Sequence, residues 1–307
     1  MMNFAQLTCV SFFSKQTGYD LFISITGGFV SVLGAFYVYI ISLNQVRRDR
    51  LIYFVGLLDS VIPSGIKQAE YCQELSEKVK KSPWIFPLLQ FEANNDLKRI
   101  SERIEQEGIY HALLQKYGRT KTNYTSFRNI YAKIDYLDLM IDELRSFNSS
   151  AQKAMWERKR LYAENFRSIK VLIERIIIDA KYTNSQNYSH IPVRLDDILQ
   201  RFYQNSPSDK ENIRETYLYV VWPVQLFILT NNQQTDELTS LLQLVMEGIN
   251  QYKGIETAAL HNAKDFIQFQ NALSNTSQDL LTLTTYIKSD FPIEEISLFR
   301  KLNPFRM

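Results

Sequence analysis

The residues that most often carry out chemistry are few in this chain and lie far apart in the sequence. The histidines His111, His190 and His261 are widely separated, and none has a second ligand residue at a metal-site spacing. Glu107 stands four residues before His111, whereas carboxylate di-iron bundles use Glu-x-x-His. The sequence has no Gly-x-Ser-x-Gly motif and no glycine-rich phosphate loop. We therefore predict a protein that is not an enzyme, with no catalytic, cofactor-binding or metal-binding residues.

Two charged stretches suggest other kinds of binding. Asp135, Asp138 and Asp142 share a predicted helix face and offer oxygen ligands to a divalent cation, although spaced carboxylates are typical of a solvated surface. Lys153–Lys181 mixes basic and aromatic residues, a pattern that suits RNA or anionic lipid. Acidic residues within this stretch reduce its excess charge, and the whole chain carries only +2. We expect neither a metal ion nor a nucleic acid as a partner.

The run Ser126–Asp135, with the sequence SFRNIYAKID, resembles a helix of membrane-anchored bacterial abortive-infection proteins, which act in phage defence. Those proteins are similar to this chain in having N-terminal membrane helices followed by a helical domain. The resemblance implies an effector that perturbs the membrane or cleaves RNA, with Arg128 and Asn129 as its motif. In some helical defence ribonucleases a His follows Arg-Asn closely. Here Lys133 stands in that region, which argues against RNA cleavage.

The chain is organised around the apolar run Leu21–Leu43, which contains no charged side chain. A bilayer-spanning helix needs about 20 mainly apolar residues, so this run is long enough to cross a membrane. A cleaved signal sequence has a shorter apolar region preceded by basic residues. A core helix usually has a polar stripe, which this run lacks. The sequence therefore predicts a single transmembrane helix over residues 21–43.

Basic residues flank one end of this predicted span. Arg47, Arg48 and Arg50 follow it, whereas Lys15 is the one basic residue of the preceding tail. Because Lys and Arg are enriched on the cytoplasmic side of membranes, we predict an extracytoplasmic tail over residues 1–20 and a cytoplasmic region from Asn44 onward. The expected location is the inner (plasma) membrane, crossed once with the N-terminus outside, and the lipid bilayer is the first expected partner.

Small residues recur along the predicted span at spacings of three and four, so they share one helix face. The members of this helix-association face are Ser24, Gly27, Gly28, Ser31, Gly34 and Ala35. A face of small residues lets two helix backbones approach closely in lipid. The simpler explanation is that Gly and Ser are common in membrane helices, but the regular spacing favours self-association. We predict a homo-oligomer formed through this face.

Composition predicts a helical region after the span. The chain has 307 residues, of which 45% are hydrophobic, with 10 Gly and 8 Pro. This apolar content suffices for a packed core, and the scarcity of Gly argues against α/β folds with their glycine-containing turns. Amphipathic helical patterns recur instead. The predicted fold class is all-α, with a single N-terminal transmembrane helix followed by a multi-helix cytoplasmic bundle.

The predicted cytoplasmic region divides at its longest polar interruption, residues 183–193. Residues 44–182 then form a helical sub-domain containing a long hairpin, and residues 194–307 form a second helical sub-domain. For the apolar stretch Leu51–Ile62 three alternatives stay open. It extends the membrane helix, lies along the membrane interface, or begins the cytoplasmic core.

Local signals predict where the individual helices end. Pro63-Ser64-Gly65 breaks the helix that follows the span, and Ser149-Ser150 separates the two arms of the hairpin. Gly254 separates the last two long helices, after which a short helix covers Ile293–Leu302. The apolar run Tyr217–Leu229 is predicted to be a buried central helix with a kink at Pro223.

The function that these features predict is a membrane-tethered interaction or scaffolding protein. It would self-associate through its transmembrane helix and bind a cytoplasmic protein partner whose identity the sequence does not give. The alternative is the membrane-anchored phage-defence effector implied by the resemblance. A third possibility, left open, is a sensor whose helical region binds a small ligand.

Overall fold

The computed structural model describes residues 4–92, 95–103, 106–118, 120–183, 190–205, 212–231 and 235–289. The described residues are helical almost throughout and contain no strand, which confirms the all-α class. The helices in chain order are α1 (Phe4–Lys81), α2 (Asn95–Arg103), α3 (Gln106–Tyr117), α4 (Lys121–Thr183), α5 (His190–Asn205), α6 (Ile213–Thr216), α7 (Trp222–Thr230) and α8 (Asp236–Ser289). A π-helical turn, Tyr217–Val221, joins α6 to α7.

α1 passes without interruption through the predicted break at Pro63-Ser64-Gly65, so that prediction is wrong. A proline inside a helix costs about 3 kcal/mol, because it lacks an N–H and its ring clashes with the preceding turn. Burial explains the continuity. A buried apolar face begins at Leu51 and continues at three- and four-residue steps through Val61 to Val79. The stretch before the proline therefore both extends α1 and begins the packed core.

α4 is likewise one helix where the sequence predicts a hairpin with a turn at Ser149-Ser150. Asn148 and Ala151 are buried on either side of the two serines, so the inward face continues across the predicted turn. Serine favours helix ends because its hydroxyl caps free N–H groups, a local effect of about 1 kcal/mol. Continuous burial along α4 outweighs that preference, and the predicted hairpin does not form.

α8 is continuous through Gly254, where the sequence predicts a break. Tyr252 and Ile255 are buried on either side of this glycine. A glycine inside a helix costs only about 1 kcal/mol relative to alanine, which is less than the burial of either neighbour contributes. The predicted short helix Ile293–Leu302 lies outside the described residues, as do residues 184–189 of the predicted linker.

The apolar run Tyr217–Leu229 is only half buried, which corrects the prediction of a buried central helix. Its inward face consists of Val220, Val221, Val224 and Ile228. The opposite face is exposed and includes Leu218, Trp222, Leu226 and Leu229. The irregularity predicted at Pro223 takes the form of the π-helical turn, in which the Trp222 N–H donates to the Tyr217 carbonyl. A π-turn is one known way of fitting a helix around a local obstruction.

The described residues group into two compact units whose segments interleave along the chain. The first unit draws on Met1–Ile62, Asn95–Asp135 and Asp279–Met307, and the second on Pro63–Asn94 and Tyr136–Gln278. The long helices α1, α4 and α8 contribute segments to both units.

In the second unit, an extended segment after α1 is hydrogen-bonded back to that helix. The Gln68 side chain donates to the Gln90 carbonyl at 3.1 Å and accepts from the Glu92 N–H at 3.0 Å. The Glu92 carboxylate also accepts from the Tyr71 hydroxyl at 2.9 Å and pairs with the Lys67 ammonium at 2.7 Å. These contacts fix the end of the segment against α1, so its position depends on the Gln68 amide and on the Glu92 carboxylate with its two partners.

Candidate functional site

The first candidate site is the part of α1 predicted to cross a membrane. Between Phe22 and Tyr39 none of the side chains is buried, and Phe29 and Val32 are 65% and 66% exposed. This is the one helix of the described residues that is long and apolar enough to span a bilayer. The core helix of a soluble protein buries its apolar side chains against other elements. Exposure on all sides therefore separates this segment from the core-helix alternative.

The helix-association face within this segment is open. A Cβ atom added to Gly27, Gly28 or Gly34 would meet no atom within 4 Å, which leaves room for a second helix to approach. The Ser31 hydroxyl donates to the Gly27 carbonyl at 2.8 Å. Such internal bonding lets a hydroxyl enter lipid without losing a hydrogen bond. The remaining members of the face are exposed as well, namely Ser24 and Ala35.

The three arginines predicted to orient the span lie between the exposed segment and the packed core. Arg47 and Arg48 are partly buried, and Arg50 is exposed. Leu51, the next residue, is only 2% exposed. From Leu43 to Leu51 an α-helix rises about 12 Å. The core of the first unit therefore begins close to the end of the predicted span.

Arg128 and Asn129, the motif carried by the resemblance, lie side by side on the exposed surface of α4. Their neighbours Phe127 and Ile130 are each 1% exposed and anchor the opposite side of the helix in the core. Lys133, which follows them one turn further along α4, forms an ion pair with Asp279 of α8. Packing thus presents the two motif residues outward and engages the lysine in a structural contact.

The histidines are not brought together in a catalytic or metal-binding arrangement. His111 Nε2 lies 3.5 Å from the Glu107 carboxylate, and His261 Nε2 lies 3.7 Å from the Asp265 carboxylate, each one turn away on its own helix. Within the described residues, no group of three or more His, Cys, Asp or Glu side chains is placed to hold a metal ion. His111 and His261 are therefore exposed residues on the surfaces of their helices.

The second unit contains an aromatic cluster that sequence reasoning missed. The Tyr217 and Tyr252 rings stack with centroids 3.8 Å apart, and the Tyr162 hydroxyl lies 3.0 Å from the Thr216 Oγ1. Burial, with a contribution from the Glu256 carboxylate, raises the pKa of Tyr252 to about 12. Its hydroxyl therefore stays protonated at neutral pH and acts as a hydrogen-bond donor, not as a base. Thr216 and Tyr217 are adjacent, but Tyr162 and Tyr252 lie on α4 and α8, so no sequence spacing links them to that pair.

A buried polar atom without a partner lies elsewhere in the same unit. The Asn165 side chain is buried, and its Oδ1 atom has no hydrogen-bond partner among the described residues. A Cβ atom at Gly248 would lie 2.8 Å from this oxygen, so the glycine makes room for the amide. An unpaired buried oxygen costs about 1–3 kcal/mol. The site therefore offers one buried acceptor atom.

Comparisons with known proteins found no match: no family model matches the chain, and no curated protein and no solved structure is significantly similar to it. Function must therefore be inferred from the surfaces of this chain. One of these surfaces is the apolar segment of α1, which is not buried by any other part of the described residues.

Proposed function

We propose that this protein is a membrane-tethered helical scaffold that crosses the bilayer once and self-associates through α1. The observation that supports it is the exposed apolar segment over residues 22–39, on the same unbroken helix whose later turns enter the packed core. In water such a surface promotes aggregation, whereas the bilayer covers it. Because α1 is continuous, the same helix would cross the membrane and contribute its later turns to the packed core.

In the proposed topology the N-terminus faces outward and the residues from Asn44 onward lie in the cytoplasm at the inner (plasma) membrane. The arginines after the span support this orientation, because Lys and Arg are retained on the cytoplasmic side. The test fuses a reporter that is active only outside the cytoplasm after Met307, and separately before Met1. We expect activity from the N-terminal fusion alone. Activity from the C-terminal fusion would overturn the orientation.

Self-association is tested by enlarging the small-residue face. Gly27→Leu with Ser31→Leu places two bulky side chains on the helix-association face, where they block close backbone approach. Thr26→Leu with Val30→Leu is the matched control, because it adds volume outside that face. We expect light scattering in detergent to show a smaller particle for the first variant and an unchanged one for the control. Equal particle sizes for the unmodified protein and both variants would contradict self-association through this face but would not contradict the membrane tether.

The scaffolding role implies a cytoplasmic protein partner. We expect overproduction to be harmless and mild solubilisation to retain a bound protein in stoichiometric amount. Removal of residues 1–43 should then release the complex from the membrane fraction without dispersing it. Growth arrest on overproduction, or purification of the chain with nothing bound, argues against scaffolding.

The second candidate is the membrane-anchored phage-defence effector, which the outward placement of Arg128 and Asn129 favours. An effector should arrest growth or depolarise cells when overproduced. Arg128→Ala with Asn129→Ala should relieve that toxicity, whereas Lys153→Ala, an exposed basic residue of the same helix, should not. Toxicity that persists in the double variant would leave the motif without an effector role.

A further inference from the structure

The turn between α3 and α4 belongs to the same unit as the predicted span and is strongly basic. From Gly108 to Ile134 the sequence contains no Asp or Glu. The basic residues of this stretch are Lys116, Arg119, Lys121, Arg128 and Lys133. The whole chain carries only +2, so this excess of positive charge is local. Lys121, Tyr124 and Arg128 are all exposed and, at steps of three and four, share one face of α4.

Contacts between α3 and α4 show that they form an antiparallel hairpin. The Tyr110 and Tyr124 rings lie 5.8 Å apart near the turn, and further from it the Tyr131 hydroxyl donates to the Gln106 carbonyl at 3.4 Å. Gly118 has a φ of +89° at the turn, a conformation that side-chain-bearing residues rarely adopt. Lys121 and Tyr124 are therefore at the tip of the hairpin.

Contacts with α1 show the direction in which α4 runs relative to α1. The Phe54 ring lies 5.7 Å from the Tyr131 ring, and further along both helices a Cβ atom at Gly65 would lie 3.5 Å from the Leu137 side chain. α4 therefore runs in the same direction as α1. Its earlier residues accordingly lie beside earlier residues of α1, toward the predicted span.

This direction places the hairpin tip near the level of the arginines that follow the span. Lys121 precedes Tyr131 by about 15 Å of helix, and the same rise before Phe54 reaches Asn44, about one turn before Arg47. The partial burial of Asn44, Arg47 and Arg48 agrees with a neighbouring element at this level. Two basic segments, distant in sequence, thus lie at a similar level along α1, near the end of the apolar run.

We propose that the α3–α4 turn binds the anionic head groups of the bilayer that α1 crosses, through Lys121, Tyr124 and Arg128. The proposal rests on the membrane tether and adds a lipid preference to it. Basic side chains near an anionic leaflet are attracted to it, and tyrosine is enriched at membrane interfaces, where its ring and hydroxyl meet lipid and water. The contact holds the first unit against the membrane surface.

The test uses the full-length chain in nanodiscs of phosphatidylcholine, either alone or mixed with anionic phosphatidylglycerol. Hydrogen exchange followed by mass spectrometry reports protection of peptides that cover Gly118–Arg128. Each basic side chain at the surface favours contact by roughly fivefold, so we expect several-fold slower exchange in the anionic discs. High salt should remove the difference, because the attraction is screened.

Charge reversal at the tip provides the decisive comparison. Lys121→Glu with Arg128→Glu should abolish the lipid-dependent protection. Of the two single variants, Lys121→Glu should reduce the protection more than Arg128→Glu, because Lys121 lies nearer the span. The matched control, Lys153→Glu with Arg167→Glu, makes the same charge change at exposed positions of the same helix. It starts about 48 Å further along α4 and should keep the protection. Lys121→Gln with Arg128→Gln tests the same contact if the glutamate variant loses helical content.

The outcomes separate the lipid contact from the tether. Equal exchange in both kinds of disc overturns the contact but leaves the tether standing, because the chain is inserted in both. A chain that fails to enter discs, or that alkaline washing removes from membranes, overturns both. Protection reproduced by inorganic phosphate in neutral discs assigns the turn to free anions and overturns the lipid contact. Loss of protection in the control variant does the same, since it would show dependence on net charge alone.

Discussion

Two parts of the same helix, residues 22–43 and 51–79 of α1, are both rich in apolar side chains yet differ completely in exposure. In the first part the apolar side chains point to all sides and none of the described ones is buried, whereas in the second part most of them recur at three- and four-residue steps and are buried. The distribution of apolar residues around a helix, more than their number, thus distinguishes a surface that lipid must cover from one that protein covers.

The largest expected effect compares one residue type in the two parts. Phe54 is fully buried and its ring packs near that of Tyr131, whereas Phe36 is 60% exposed. We expect Phe54→Ala to lower the free energy of unfolding by about 3–5 kcal/mol, because it removes a large buried side chain. Phe36→Ala should change it by less than about 0.5 kcal/mol. Denaturant unfolding in detergent measures both, and equal losses would place the exposed segment in the folding core.

The next effect concerns insertion into the membrane. Val32 lies in the middle of the exposed part, and Ile52 is exposed just beyond it. A lysine at the centre of a transmembrane helix disfavours insertion by about 2.5–3.5 kcal/mol, so Val32→Lys should reduce the membrane-bound fraction. Ile52→Lys should leave that fraction unchanged. The fraction resistant to alkaline extraction is the measurement, and indifference to Val32→Lys would show that lipid does not surround this residue.

A smaller effect compares glycines of the two parts. A Cβ atom at Gly65 would clash with the Ser277 Oγ atom, whereas one at Gly28 would meet nothing within 4 Å. Gly65→Ala should destabilise the fold by about 1–3 kcal/mol through overpacking. Gly28→Ala should not. Ser277→Ala should rescue the Gly65 variant, because it removes a buried hydroxyl that has no hydrogen-bond partner within the described residues. Persistence of the loss after that rescue would mean that another contact causes it.

Sequence patterns predict the long-range character of this fold well and its helix ends poorly. The all-α class and the single long apolar helix follow from composition and hydropathy, which average over many residues. The predicted breaks at Pro63, Ser149-Ser150 and Gly254 do not occur. Each rests on a local preference of about 1–3 kcal/mol. Burial of several neighbouring side chains exceeds such preferences, and a single sequence does not show where that burial occurs.

The candidate lipid surface illustrates the same limit. The absence of acidic residues from Gly108 to Ile134 is visible in the sequence and indicates the basic character of this stretch. What the sequence does not show is that α4 runs alongside α1, which brings Lys121 toward the end of the predicted span. That placement depends on contacts such as Phe54 with Tyr131, between residues far apart along the chain.

The smallest expected effect concerns the extended segment after α1. This segment is hydrogen-bonded to the buried part of α1 through Glu92. The Lys67 ammonium, and then the Tyr71 hydroxyl, hydrogen-bond to the Glu92 carboxylate and lower its pKa below the ordinary value of 4.5. The same pair raises the pKa of Lys67 above its ordinary value of 10.5. Because the carboxylate form is the one stabilised by folding, its contribution is complete above pH 4.5 and is lost as the pH falls through the lowered pKa. The lysine contribution is complete below pH 10.5 and is lost as the pH rises through the raised pKa.

Glu92→Gln should therefore lower the melting temperature slightly between these limits and have no effect at strongly acidic pH, where the native carboxylate is protonated as well. The Lys67 side chain is 53% exposed and that of Glu92 is 27% exposed, so water and salt still reach the pair and the difference stays small. Glu74→Gln is the control, because Glu74 pairs with Lys78 one turn along the exposed side of α1 and holds no other segment. We expect it to leave the melting temperature unchanged. A Glu92→Gln difference that persists at strongly acidic pH would mean that carboxylate charge does not hold the extended segment.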